Sequence, residues 1–101
     1  MINFKQIVIA TKIQRASLIE SLVKNNLSKI EEAIWEAAKE GKYETSYCIA
    51  IPCCFKDEEG EKDIINAFSN YFDNDFELTL VSPAYSYADY VLYISWHEKE
   101  D

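Results

Sequence analysis

Glycine and proline are nearly absent: the 101-residue chain has two of each. Few positions therefore demand special backbone geometry, and regular elements with short connections are expected. Two isolated glycines, Gly41 and Gly60, exclude a glycine-rich phosphate loop. Histidine occurs once, as His97, and cysteine three times, as Cys48, Cys53 and Cys54. An odd count with two adjacent residues is no disulfide scaffold, and the paired ligands of a zinc site are missing. The cysteines read instead as small buried apolar residues kept reduced. Uncharged apolar runs are short. Ile7-Val8-Ile9-Ala10 is four residues, far below the roughly 20 that span a bilayer. No leader with a small-residue cleavage pattern is visible, so no membrane partner and a cytoplasmic location are expected.

Acidic residues are scarce only in residues 1–29. There Lys5, Lys12, Arg15, Lys24 and Lys29 face Glu20 alone, a local charge of +4 within a total of −8. Residues 30–101 carry the remaining −12. A chain with this balance lacks the cations to displace phosphate counterions, so direct nucleic-acid binding is not expected. The basic set Lys5, Lys12 and Arg15 marks the one place for a local anion site.

What is present is a core. Hydrophobic residues make up 49% of the chain and aromatics 14%, enough for one domain over residues 1–101 and too little for two. The first third reads as helical. Asn3/Gln6, Thr11/Gln14, Ser17/Glu20 and Ser28/Glu31 all match capping-box spacing. Residues 5–11 are also β-branched enough to form a strand, and helix is preferred there. Leu18, Ile19, Leu22 and Val23 share one helical face. Leu27, Ile30, Ile34 and Ala38 share another, about 120° away. One straight helix serving both is not expected, so a break near Asn25-Asn26 is predicted, with Ser28 capping a second helix that ends at Gly41.

Residues 43–51 alternate as a strand that Pro52 stops. Residues 56–60 read as a charged turn, and residues 61–74 as an amphipathic helix with Ile64, Ile65, Phe68, Tyr71 and Phe72 inward. Residues 76–81 and 88–96 read as strands joined by a loop carrying Tyr85 and Tyr87. The fold class is α+β: a helical N-terminal third, then β-α-β-β. The strand–helix–strand unit predicts a mixed three-stranded sheet with the most apolar strand central, order β1-β3-β2, and helices on one face.

The stretch Lys29-Ile-Glu-Glu-Ala-Ile-Trp-Glu-Ala-Ala-Lys-Glu-Gly-Lys-Tyr43, followed by a short strand, is one half of a pattern. The other half is Tyr93-Ile-Ser-Trp96 before a charged tail. Together they resemble small α+β proteins of unknown function encoded by bacteriophages, which pass from a helix through a Gly-Lys-Tyr-like step and close on an Ile-Ser-Trp-like strand. The resemblance covers residues 27–96 and carries no catalytic residues. It implies a phage origin and action by binding a host component, defence systems included.

Catalytic constellations are poor. Cys48, His97 and Asp89 could meet only if the first and last strands paired, with the histidine beside a terminus. The acids cluster in runs beside turns, without EF-hand spacing or an isolated pair. No enzyme activity, cofactor or metal is therefore expected. Aromatics are more telling: nine of fourteen lie in residues 68–96. Tyrosine adds contact area at little rotamer cost, so a protein-binding surface is expected around Tyr85, Tyr87, Tyr90 and Tyr93. The acidic run Asp57, Glu58 and Glu59 would engage a basic groove on a host protein by imitating phosphate. Two other functions fit the residues: a homo-oligomer that sequesters a small nucleotide on its basic segment, and a minor virion or assembly component.

Overall fold

A computed structural model of the chain describes residues 1–85 and 88–97. Helix α1 (Phe4–Lys39) is followed by strand β1 (Glu44–Ile49), a 3-10 turn (Cys53–Phe55), helix α2 (Glu58–Ser69), strand β2 (Glu77–Val81) and strand β3 (Tyr90–Ser95). The sheet order is β1-β3-β2, as the apolar character of the last strand predicts. The sheet is antiparallel throughout rather than mixed. The crossover through α2 does leave β1 and β2 running in the same direction. β3 inserts between them, so no parallel pair forms.

The expected break in the first helix does not occur. α1 is one helix of 36 residues, about 54 Å long. Its three buried residues, Val23, Ile30 and Ala37, are spaced by seven, a seam that drifts by only about 20° per step. The two apolar arcs read from the sequence flank this one seam, so a straight helix serves both. Ile19 and Val23 of the first arc lie beside Asn66 and Ala67 of α2, and Leu27, Ile34 and Ala38 of the second lie beside Phe72, Phe76 and Trp96. Asn26 stays helical because its side-chain amide donates to the Leu22 carbonyl (2.7 Å) and its oxygen accepts from the Tyr47 hydroxyl (3.0 Å). Residues 5–11 are helix. Of the four capping-box matches, only the first is used as a start: Asn3 Oδ1 accepts from the Gln6 amide (3.1 Å).

The helix stops where Gly41 takes φ 81°. The Lys42 amide then reaches back to the Ala37 carbonyl (2.9 Å) and the Gly41 amide to Ala38 (3.0 Å), a Schellman closure. α2 begins earlier than the charge pattern indicates. Asp57 is its N-cap, and Glu58, Glu59 and Glu61 occupy its first turn, where the positive end of the dipole favours carboxylates. Residues 58–60 are therefore helix, not turn. α2 also ends earlier, at Ser69, and Phe72 turns back to meet Phe76 edge-on at 5.4 Å.

The core joins Val23 and Ile30 of α1, Ile49, Ile51, Phe55, Ile64 and Phe68, and Tyr90, Leu92 and Ile94 of the central strand. Alternation places Thr45, Tyr47, Ile49, Leu78 and Leu80 on that side. It leaves Glu44, Ser46, Cys48, Glu77, Thr79, Val81 and Tyr93 exposed on the other. All three cysteines are exposed and free, contrary to the buried role expected of them. Cys48 points to the open sheet face, and Cys53 and Cys54 lie on the solvent side of the turn. The molecule is elongated. Its radius of gyration is 16.0 Å and its longest extent 60 Å, against about 13 Å for a compact chain of this length. The excess comes from α1: its first residue to reach the core is Arg15, over Phe55, followed by Leu18, so the turns before Arg15 project beyond the body.

Candidate protein-interaction site

The residues singled out from the sequence do not form one surface. Tyr90 and Tyr93 are three apart on one strand, an odd spacing, so they point to opposite faces. Tyr90 is 4% exposed, and its hydroxyl donates to Glu61 Oε1 at 3.0 Å. It belongs to the core and is withdrawn from any binding surface. Burial, and then the Glu61 carboxylate, push its hydroxyl pKa up from 10.0. Tyr93 stands on the open sheet face, 49% exposed. Tyr85 is exposed in the β2–β3 connection, and Tyr87 lies outside the described residues. Asp57 is committed to capping, with Oδ1 accepting from the Gly60 amide at 2.6 Å. Glu58 and Glu59 are exposed on α2.

The basic set is also divided. Lys5 and Lys12 are exposed on the projecting part of α1. Arg15 is engaged: its guanidinium donates to the Cys54 carbonyl (3.0 Å) and lies 4.5 Å from the centre of the Phe55 ring. Arg15 thus clamps the 3-10 turn to α1, and the three cations do not converge on one anion. Cys48, His97 and Asp89 form no catalytic group. Cys48 pairs with Val91, while His97 stacks on Tyr43 at 5.3 Å, at the other end of β1. That separation is about 15 Å along the strand. Among the described residues, no cluster of His, Cys, Asp and Glu is arranged to hold a metal ion, and no helix is long and apolar enough to cross a membrane.

What the fold does assemble is an acidic cleft. A cleft of about 630 Å³ is lined by the C-terminal turns of α1 and by residues of all three strands, from the open face and, through Thr45 and Ile94, from the core side. Glu36 and Glu40 come from α1, Glu44 from the start of β1 and Glu77 from the start of β2. Glu44 and Glu77 both pair with Ser95 across β3. Ser46, Tyr93 and Thr79 form the next row. Lys42 is the one cation among the described lining residues. Its ammonium lies 2.9 Å from Glu40, whose carboxylate holds the Lys42 proton more firmly than usual. Among the described residues, three carboxylates of a lining that includes Tyr93 therefore have no cation beside them. The outward phase of Glu44 was legible in the alternation of β1. The meeting of Glu44 with Glu77 depends on the strand register, and that of Glu36 and Glu40 on where α1 crosses the sheet.

A second concavity, about 450 Å³, is apolar. Leu27, Ile34 and Trp35 of α1 face Phe72, Phe76 and Trp96, with Glu31 and Asp73 among its lining residues. Trp35 is 60% exposed there.

No protein-family model, characterised protein or solved structure matches this chain.

Proposed function

We propose that this chain is a non-catalytic binding protein that captures a basic segment of another protein in the acidic cleft. The carrying observation is that Glu36, Glu40, Glu44 and Glu77 line one cleft together with the exposed Tyr93, and that Lys42, the one cation among its described lining residues, is already paired. An arginine or lysine laid over that ring would gain cation–π attraction together with carboxylate partners. Complementary charge of this kind steers encounter and selects partners, and it weakens with salt. Serine and threonine hydroxyls of the cleft floor, on Ser46, Thr79 and Ser95, add neutral hydrogen-bonding groups for a peptide.

The resemblance to phage-encoded proteins supports a host protein as the target, in the host cytoplasm. A groove that normally holds nucleic acid, or another defence-related basic surface, fits the chemistry. Occupying it would inhibit the host protein. The test is affinity capture from host cytosol, then binding of the captured protein to charge variants. Glu44→Lys/Glu77→Lys should abolish capture, and Tyr93→Ala should weaken it. Glu58→Lys/Glu59→Lys, on α2, should leave it intact. Binding of equal strength at about 0.05 and 0.5 M salt would refute the electrostatic reading.

A further inference from the structure

The projecting end of α1 exposes large apolar side chains on two sides, with Lys5 and Lys12 between them. Phe4, Ile7, Ile9 and Ile13 are all more than half exposed, at 80%, 57%, 58% and 65%. Exposed apolar side chains gathered in this number mark an interaction surface. It is also basic, carrying Lys5 and Lys12 and no acid before Glu20. The apolar groove at the other end of the same helix has the opposite charge, from Glu31 and Asp73. The two ends of α1 are thus complementary in both respects. Their phase agrees as well. At 100° per residue, Ile9, Ile13 and Ala16 in the first half fall within the same arc, about 60° wide, as Leu27, Ile34 and Ala38 in the second.

From this we infer that two copies of the chain pair through α1 in antiparallel fashion, each arm lying in the other's apolar groove. A twofold axis near residue 22 brings Glu20 of each copy opposite Lys24 of the other. Within one chain these two already pair at 2.7 Å, both largely exposed, so the bridge can be shared across the axis. In that register Ile13 opposes Glu31, between Leu27 and Ile34, and Ile9 opposes Trp35. Lys5 and Lys12 then lie toward the rim that carries Asp73. The helix dipoles are also opposed. A strip about 54 Å long and one helix diameter wide is about 600 Å² before the aromatic groove is counted. With the groove it approaches the roughly 800 Å² per partner of a stable interface. The acidic cleft uses the opposite flank of α1, so both clefts of the dimer stay open, and the pairing does not depend on the cleft's role.

The test is sedimentation equilibrium of the full chain from about 1 to 100 μM, a range that brackets micromolar association. The wild-type chain should be dimeric. Ile9→Asp/Ile13→Asp should be monomeric with unchanged circular dichroism, because neither side chain touches the core. Glu20→Lys should weaken the dimer, and Glu20→Lys/Lys24→Glu should restore it. In a background with Cys48, Cys53 and Cys54 changed to serine, Glu20→Cys/Lys24→Cys should oxidise to a covalent dimer, and Ile9→Cys alone should not. A monomeric wild type, a dimer that survives Ile9→Asp/Ile13→Asp, or a covalent Ile9→Cys dimer would overturn the proposal.

Discussion

The Tyr47 hydroxyl of β1 donates to Asn26 Oδ1 in the middle of α1 at 3.0 Å, and the Asn26 amide donates to the Leu22 carbonyl at 2.7 Å. A residue that favours turns is thereby held inside a helix by satisfying both its donor and its acceptor. The pair also ties α1 to the sheet. Asn26→Ala and Tyr47→Phe should each destabilise the fold by about 1 kcal/mol. The double variant should cost less than the sum, because each single change removes the same bond. Urea unfolding of the four proteins reads the coupling directly, and strict additivity would mean that the bond contributes nothing.

Gly60 sits where α2 crosses the 3-10 turn. A Cβ there would run into the backbone of Phe55, its carbonyl first. Backbone cannot rotate away as a side chain can, so Gly60→Ala must push α2 off the turn that buries Phe55. Overpacking of this kind costs about 1–3 kcal/mol. Gly41→Ala tests a different cause. Space around Gly41 is open, but its φ of 81° strains any residue with a Cβ. A loss of about 1 kcal/mol is expected there. Thermal unfolding should rank Gly60→Ala below Gly41→Ala, and the reverse order would refute the packing argument.

Tyr90 gives the fold a pH limit on the alkaline side. Burial first, and the Glu61 carboxylate second, raise its pKa above the ordinary 10.0. The unfolded chain then releases the tyrosine proton at a lower pH than the folded chain does. Stability is therefore level below about pH 10 and falls as pH rises from there toward the folded value. Tyr90→Phe should abolish this component of the alkaline loss, at the expense of the bond to Glu61. Unfolding midpoints at pH 8 and pH 11, with and without the substitution, separate it from the exposed tyrosines.

Much of the fold was readable because it follows from periodicity. The outward phase of Glu44 and the inward phase of Ile49, Leu92 and Ile94 come from strand alternation, and the choice of central strand from its two apolar faces. The end of α1 at Gly41 comes from the one position that needs positive φ. The missed features are those that a local pattern does not contain. The continuity of α1 depends on Tyr47 reaching Asn26 from 21 residues away. The early start of α2 depends on Asp57 being recruited as a cap rather than left as surface charge. The acidic cleft depends on register, which sets Glu44 and Glu77 opposite the same Ser95. Tyr90 drops out of the expected tyrosine surface for a simpler reason. Tyr90 and Tyr93 are neighbours in sequence but stand on opposite sides of the sheet.

Arg15 supplies the last prediction. Its place in the basic segment with Lys5 and Lys12 marks it for an anion site, yet it holds the Cys54 carbonyl and covers Phe55. Loss of this clamp should act on the turn before it acts on the whole fold. Arg15→Ala removes a charge-assisted hydrogen bond and a cation–π contact at a partly exposed site, together about 1–2 kcal/mol. Arg15→Lys keeps the charge but not the planar fork that donates and stacks at once, so it should recover less than half of the loss. Cys53 and Cys54 are exposed already, so alkylation rates report local freedom rather than burial. Hydrogen exchange is the better measure. The Phe55 and Lys56 amides, bonded to the Pro52 and Cys53 carbonyls at 2.9 and 3.2 Å, should exchange faster in Arg15→Ala while the Ile64–Phe68 amides do not. Uniform acceleration across α2 would mean that Arg15 stabilises the whole domain and not this turn.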